Sequence, residues 1–474
     1  MDHHVLRQSR LDAGRGRRPR PGDLGGRLPE RRGLGPLGRR ARADPVNGGG
    51  ARVARMARGE HAVRQAADVI VVGGGPAGAM AAMTLATRGV STLLLDKKRF
   101  PRDKPCGGGI RYRVYRRFPE LADYLRTTVA IHEIRKVRME GPSGASVLAE
   151  SDEPFYLTLR RTEFDAALLA RARAVGAEVL EAVRVSDLAF SRDGVTVRSV
   201  DGRAFTASIA IAADGVNSVV ARQAGLGDGF PEGALAIDTM EETDLAELAP
   251  ADPETMYVAY GYRGYPGYGY VFPKRHHVDA GVGFLLSFFK AKLGGAPYEH
   301  HARFVEDARR RGVVHGRSNP KNFKAYRLPL GGPLARTYAD RVLVCGDAAG
   351  FVNGYTGEGI YHAMVTGQLA GQTAADALAR GQCGAAGLAS YEARWRREIG
   401  RELADSLRIQ RRLFARPALV DTVIRAAAAD RRLCRLLARV ALGEEDLRTR
   451  KLELALRFLL ARFRRAPSAV RAAG

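Results

Sequence analysis

Three glycines at a fixed spacing constrain this chain of 474 residues more than any other feature. Gly73-x-Gly75-x-x-Gly78 follows residues 69–72, a run of β-branched apolar side chains that suits a buried parallel strand. Residues 79–88 then read as a helix stopped by Gly89, and residues 90–95 as a second strand ending in Asp96. A β-α-β unit built this way is a cradle for a dinucleotide. Gly73 permits the tight turn, Gly75 lets a pyrophosphate approach the backbone, and Gly78 lets helix and strand pack closely. The helix start, with Ala77 in its first turn, offers free N–H groups and a positive dipole end to the phosphates. Asp96, 23 residues after Gly73, can accept hydrogen bonds from ribose hydroxyls.

The cradle alone does not say which dinucleotide it holds. Later residues choose. Residues 342–345 form another short buried strand leading into Gly346-Asp347-Ala348-Ala349-Gly350, which resembles the glycine–aspartate motif of FAD-dependent oxidoreductases. The resemblance implies that Asp347 hydrogen-bonds the ribityl chain. Thr356-Gly357-Glu358-Gly359-Ile360 then starts a helix expected to reach about Ala379. Its backbone N–H groups, from Gly357 to Ile360, would stabilise the negative pyrimidine edge of a reduced flavin. Asp214-Gly215 resembles the short Asp-Gly motif that ends a strand in the same flavoproteins, although by itself it is a hairpin-like turn. Arg161, in Arg161-x-x-Phe164-Asp165, matches an arginine at a helix head that contacts FAD there; a solvated helix-start arginine is the other reading. No second glycine motif has its own acidic partner, so NAD(P)H or another reductant is expected only as a transient electron donor.

Lys104-x-Cys106-Gly107-Gly108-Gly109 and Pro266-x-Tyr268-x-Tyr270-x-Phe272-Pro273, taken with the motifs above and in this order, are similar to the geranylgeranyl reductase family of flavoproteins. The resemblance covers roughly residues 66–400. It implies a p-hydroxybenzoate-hydroxylase-like fold, α/β in class, with a Rossmann-like FAD-binding domain interleaved with an antiparallel-sheet substrate domain. It also implies reduction of isoprenoid carbon–carbon double bonds on a lipid, quinone or chlorophyll-like substrate. Two departures bear on the substrate: Tyr270 stands where the family usually has Trp, and Gly354-Tyr355 follows Asn353 where Pro is frequent.

Reducing an unactivated alkene needs a hydride on one carbon and a proton on the other. A long prenyl chain needs an apolar, aromatic-lined slot. Tyr262, Tyr265, Tyr268, Tyr270 and Phe272 offer one, or else simply pack a sheet, and the glycines between them suggest a bent, twisted strand. Tyr268 and Tyr270 are the candidate catalytic tyrosines. Cys106 is the third candidate: with Gly107 and Gly109 it would lie at the flavin ring, in a nest of N–H groups that favours a thiolate. A cysteine merely tolerated in a glycine-rich loop is the plain alternative. No C-x-x-C or similar spacing occurs, so no metal is expected.

Domain organisation follows from these placements. Residues 1–65 read as a disordered Arg/Gly/Pro-rich tail, with Met56 as an alternative start just ahead of the first strand. Residues 66–222 form the first part of the FAD-binding domain, closing with a β-meander over 183–190, 195–200 and 204–213 turned by Asp193-Gly194 and Asp201-Gly202. Residues 223–330 form the substrate domain, 331–395 the second part of the FAD-binding domain, and 396–474 a helical region. The formal net charge of +25 sits largely at the ends: residues 1–60 hold 15 Arg and 6 acidic residues, and residues 400–474 hold 18 basic and 8 acidic ones. A nucleic-acid enzyme would carry its basicity around an active groove, so no nucleic-acid partner is expected. The basic amphipathic helices at the C-terminus are either a helical cap or an attachment to an anionic membrane surface. With no apolar core of a secretory signal, the expected location is cytoplasmic, peripheral to the inner face of a membrane if the second reading holds. A flavin-dependent monooxygenase on the same fold is the alternative function. Halogenases of this kind carry Trp-x-Trp-x-Ile-Pro, and this chain has a single Trp, Trp395. A prenyl-lipid binding protein with a vestigial flavin site is the non-enzymatic alternative.

Overall fold

The computed structural model describes residues 65–441, 444–445 and 449–463. The Arg/Gly/Pro-rich segment ahead of Gln65 lies outside these residues, as do 464–474 of the C-terminal region. Two large sheets organise the rest. In the first, the strand Gln65–Val72 lies between Ala204–Ala212 and Thr92–Asp96, parallel to both. Glu178–Glu181 adds beyond Thr92–Asp96, and Val342–Val344 beyond Ala204–Ala212, again in parallel. The central residues of these strands are apolar because helices cover them, and Val69, Ile70 and Val71 are fully buried. Helices Pro76–Thr87 and Ile360–Ala379 pack on each other at Gly367 and Gly371, where a Cβ would press on Ala77 and on Thr84. The meander forms as expected, with Val185–Phe190, Val195–Ser199 and Ala204–Ala212 antiparallel in sequence.

The second sheet has seven strands in the order Phe323–Pro329, Leu235–Asp244, His277–Leu285, Gly267–Pro273, Thr255–Tyr260, Lys136–Glu140 and Ser146–Glu150. The last two come from within residues 66–222. Lys136–Glu140 joins Thr255–Tyr260 in parallel across more than a hundred residues. A boundary that keeps all of 66–222 with the cofactor-binding part therefore does not follow the sheets. Local periodicity carries no signal for a pairing of that range. One face of the second sheet is covered by helix Pro297–Arg310, the other by the C-terminal helices Pro417–Ala429 and Arg431–Ala441.

Candidate active site

The strand Gln65–Val72 delivers the glycine turn and helix Pro76–Thr87 leaves it. Gly73 has φ +107°, in the region that favours glycine, and a Cβ there would overlap the Ala213 carbonyl. A Cβ on Gly78 would overlap the Gly73 carbonyl oxygen. Gly75 differs: a Cβ would meet only Arg102 Nη2, at 3.5 Å, so this face of the turn is open toward a guanidinium. Arg102 Nη2 pairs with Asp165 Oδ2 at 2.9 Å, while its Nη1 is buried without a hydrogen-bond partner among the described residues. An unsatisfied cationic nitrogen beside an open glycine face fits a pyrophosphate. Asp96 accepts from Gly74 N–H through Oδ2 at 2.6 Å and from Lys98 N–H through Oδ1 at 2.7 Å. Each of its oxygens keeps acceptor capacity for a ribose hydroxyl.

The later motifs converge on the same cradle. Gly346 sits against Ala77, where a Cβ would come 2.9 Å from the alanine methyl. Asp347 follows in a short 3-10 turn, Gly346–Ala349, with Oδ1 facing Gly359. Arg161 heads helix Arg161–Ala174 and is buried, its Nε and Nη2 both donating to Asp165 at 2.7 Å. Against the desolvation of burial, Asp165 and Cys106 hold this guanidinium charged. Burial pulls the Lys104 ammonium below its ordinary pKa although Asp347 opposes the shift, and its Nζ lies 3.5 Å from the centre of the Tyr326 ring. Cys106 Sγ accepts from Gly108 N–H at 3.4 Å. Asp347, Lys104, Arg161 and Cys106 thus share one space beside the cradle, and the residues present fit FAD.

Asp214 stands beside Gly73 at the strand end. Its Oδ1 accepts from Ser218 Oγ at 2.5 Å and its Oδ2 from Val219 N–H at 2.7 Å, so the carboxylate closes the start of helix Val219–Gln223. The Asp-Gly turn contributes through its neighbour Ala213, whose carbonyl walls Gly73.

Beside Cys106, Gly107 and Gly109 on one side and Gly357, Gly359 and Ile360 on the other opens a cavity enclosing about 1090 Å³, part of it open to solvent. Tyr268, Tyr270 and Phe272 alternate along Gly267–Pro273, which puts all three on this cavity. Tyr270 and Phe272 lie 4.6 Å apart, and Tyr260 pairs across the ladder with Tyr268. Tyr268 Oη donates to the Thr356 carbonyl at 2.6 Å, tying the sheet to the loop that leads into Gly357. Tyr262 and Tyr265 do not join them. They lie in the turn after Gly261, where strand alternation has stopped, and pack on the opposite face against Phe304 and Phe284. Gly267–Pro273 holds a regular antiparallel register against His277–Leu285. Gly269 is required within it, since a Cβ there would run into the Phe304 ring from the far side. In place of Tyr262 and Tyr265, Tyr156 and Tyr260 line the cavity, and Tyr355 stacks on Tyr260 at 4.8 Å and 7°.

Two groups at the cavity escaped the sequence reading. Asp238, at the middle of Leu235–Asp244, lines the cavity and accepts from Tyr270 Oη at 3.2 Å. Burial pushes its carboxyl up to about 7, against the opposing pull of Tyr270 and Lys104. Arg111, fully buried, donates from Nε to Glu358 Oε2 at 2.6 Å and from Nη1 to Glu402 Oε1 at 2.8 Å. His362 Nε2 lies 2.9 Å from the same Glu402 oxygen. This network fixes the Gly357–Ile360 turn from below. Neither group has a local signal: a lone acid in a strand, or an arginine at the end of the short strand Gly109–Arg111, takes its meaning from partners distant in sequence.

Comparison with known proteins accords with this geometry. The family model described as FAD binding domain matches residues 66–406. A digeranylgeranylglycerophospholipid reductase 2 of Methanothermobacter thermautotrophicus is 34% identical over 344 residues, 71% of this chain and 84% of that protein. A digeranylgeranylglycerophospholipid reductase of Methanosphaerula palustris is 32% identical over 338 residues, 68% of this chain and 79% of its own length. Among solved structures, a geranylgeranyl bacteriochlorophyll reductase-like protein from Thermoplasma acidophilum superposes with a TM-score of 0.70 at 22% identity, covering 82% of this chain and 99% of that one. A flavin-dependent brominase superposes at 0.64 and 17% identity over 80% of this chain and 94% of its own, so the fold is shared with other flavin chemistries.

Proposed function

Because this chain belongs to the geranylgeranyl reductase family of FAD-dependent oxidoreductases, we propose that it saturates isoprenoid carbon–carbon double bonds on a prenylated lipid. The observation that carries the reading is the aromatic cavity set between the Cys106–Gly109 loop and the Gly357–Ile360 turn. FAD, once bound and reduced, supplies the hydride. The protein's share is to hold the alkene, exclude water and provide a proton. Tyr260, Tyr268, Tyr270 and Phe272 give the alkene an apolar wall. Asp238 holds the proton near neutral pH and Tyr270 fixes its carboxyl at Oδ2. Lys104, Arg161 and Asp347 would bind the cofactor's polar chain, and Arg102 with the Gly73–Gly78 turn its pyrophosphate. Cys106 lies where it can position the substrate at the ring; Cys106→Ala with unchanged turnover would remove that role. NAD(P)H serves as a transient electron donor, in keeping with the single glycine cradle. A lipid substrate also implies work at a membrane surface.

The test is anaerobic incubation of the protein with FAD, dithionite and a geranylgeranylated lipid. The expected product gains two hydrogens per double bond reduced. A product that gains one oxygen when air is admitted points to the monooxygenase alternative, and an unchanged lipid with bound, reduced FAD overturns the reading.

A further inference from the structure

The last described helix, Lys451–Phe463, is apolar on two sides. Leu454 and Ala461 are buried and pack with Leu433 and Leu436 of the helix before it. Leu452, Leu456, Leu459 and Leu460 fall on the outer side, with exposures of 86%, 57%, 52% and 42%. Only seven large apolar side chains are strongly exposed in the described chain, and four of them are these leucines. Single exposed leucines are ordinary, whereas a stripe at i, i+4, i+7 and i+8 is a surface prepared for contact.

Two further observations say what covers it. The same helical region is cationic: Arg411, Arg412, Arg416, Arg431, Arg432 and Arg435 are exposed and have no acidic partner among the described residues. Exposed leucines within so cationic a helical region match an anionic lipid surface. Behind the helix, moreover, lies a second cavity enclosing about 1040 Å³, lined almost wholly by apolar side chains that include Leu419, Val423, Leu437, Leu454 and Phe458. It meets the active-site cavity at Met139, Tyr260 and Ala441, which line both.

We propose that helix Lys451–Phe463 lies in an anionic membrane surface through its Leu452, Leu456, Leu459 and Leu460 edge, and that the prenyl chain passes from the bilayer through the cavity behind this helix to the active site. The entry route rests on the lipid-reductase reading; the docking does not. Attraction from the arginines brings the protein down, the leucines hold it, and the substrate never crosses water.

The experiment uses the full chain loaded with FAD, sedimented with vesicles of phosphatidylcholine with and without phosphatidylglycerol. A variant carrying Leu452→Gln, Leu456→Gln, Leu459→Gln and Leu460→Gln alters only exposed side chains, and its thermal melt checks that it folds. Wild type is expected to bind the anionic vesicles and to be weakened by salt; the variant should bind roughly a hundredfold less tightly. Its turnover should fall on substrate embedded in vesicles and hold on substrate dispersed in detergent. Unchanged vesicle binding by the variant overturns the docking. So does a wild type that ignores vesicles but forms a dimer lost in the variant, which would make the stripe a contact with a second copy. Equal turnover losses in vesicles and detergent overturn the entry route. Vesicle binding that depends on the leucines, without turnover in either form, leaves the docking standing and rejects the reductase reading.

Discussion

Replacing Asp238 with Asn tests the proton source without requiring the cofactor. The carboxyl is raised from 3.8 to about 7, so between those values the folded protein keeps a proton that the unfolded chain has lost. Stability must therefore fall as pH rises through this window, by about 1.4 kcal/mol per pH unit. The full difference comes to roughly 4 kcal/mol above pH 7, a ceiling because water in the cavity reduces the cost of charge. Below pH 4 both states are protonated and the penalty vanishes. Asn cannot ionise, so Asp238→Asn should equal the wild type near pH 4 and exceed it by up to roughly 4 kcal/mol at pH 8. Urea unfolding of the cofactor-free protein at a series of pH values measures this directly. In the loaded enzyme, the rate of alkene reduction should decline as pH rises through about 7. The variant should lose roughly 10²–10⁴-fold in that rate and lose the decline with it. A variant with the wild-type pH dependence of stability would refute the raised carboxyl, and one with the wild-type rate would refute its role as acid.

Other substitutions probe the frame. Gly75→Val should leave folding intact, because a Cβ there meets only Arg102 Nη2, at an ordinary van der Waals distance of 3.5 Å, yet weaken FAD binding at least tenfold by fluorescence titration. Gly269→Ala should destabilise by about 1–3 kcal/mol in denaturant unfolding, and much of the loss should return when Phe304→Leu is added. Arg111→Met strands Glu358 and Glu402 in a buried site and should cost about 3–5 kcal/mol. In the wild type, Arg111 and His362 overcome desolvation and hold Glu402 well below the usual carboxylate range. That contribution is present above about pH 4.5 and lost as pH falls through the lowered value, so the variant should be less acid-sensitive than the wild type.

What the sequence made legible was whatever depends on a few adjacent residues. The glycine turn is forced by backbone clashes at Gly73 and Gly78, so its spacing alone declares it. The aromatic wall is half legible: period-2 alternation picks out Tyr268, Tyr270 and Phe272, but nothing local says that the strand begins only at Gly267, and so nothing local sets Tyr262 and Tyr265 apart from them. Gly269 reads as a flexible joint until Phe304 arrives from another helix. Asp214 occupies a recognisable motif, yet Ser218 and two backbone N–H groups claim its carboxylate. Arg102, Asp238 and the Arg111 network matter only through partners that tertiary folding supplies.

The contact between Gly346 and Ala77 fixes when the protein can first hold its cofactor. At about 5–20 residues per second a ribosome needs roughly 15–50 s to travel from one of these positions to the other. Throughout that interval the emerging cradle lacks its second wall, and the edge of Ala204–Ala212 that later receives Val342–Val344 stays bare. Cofactor loading is thereby confined to the closing moments of synthesis or later. A scarce flavin supply would then show itself first as nascent or newly released chains captured by chaperones, before any change in the activity of protein already made.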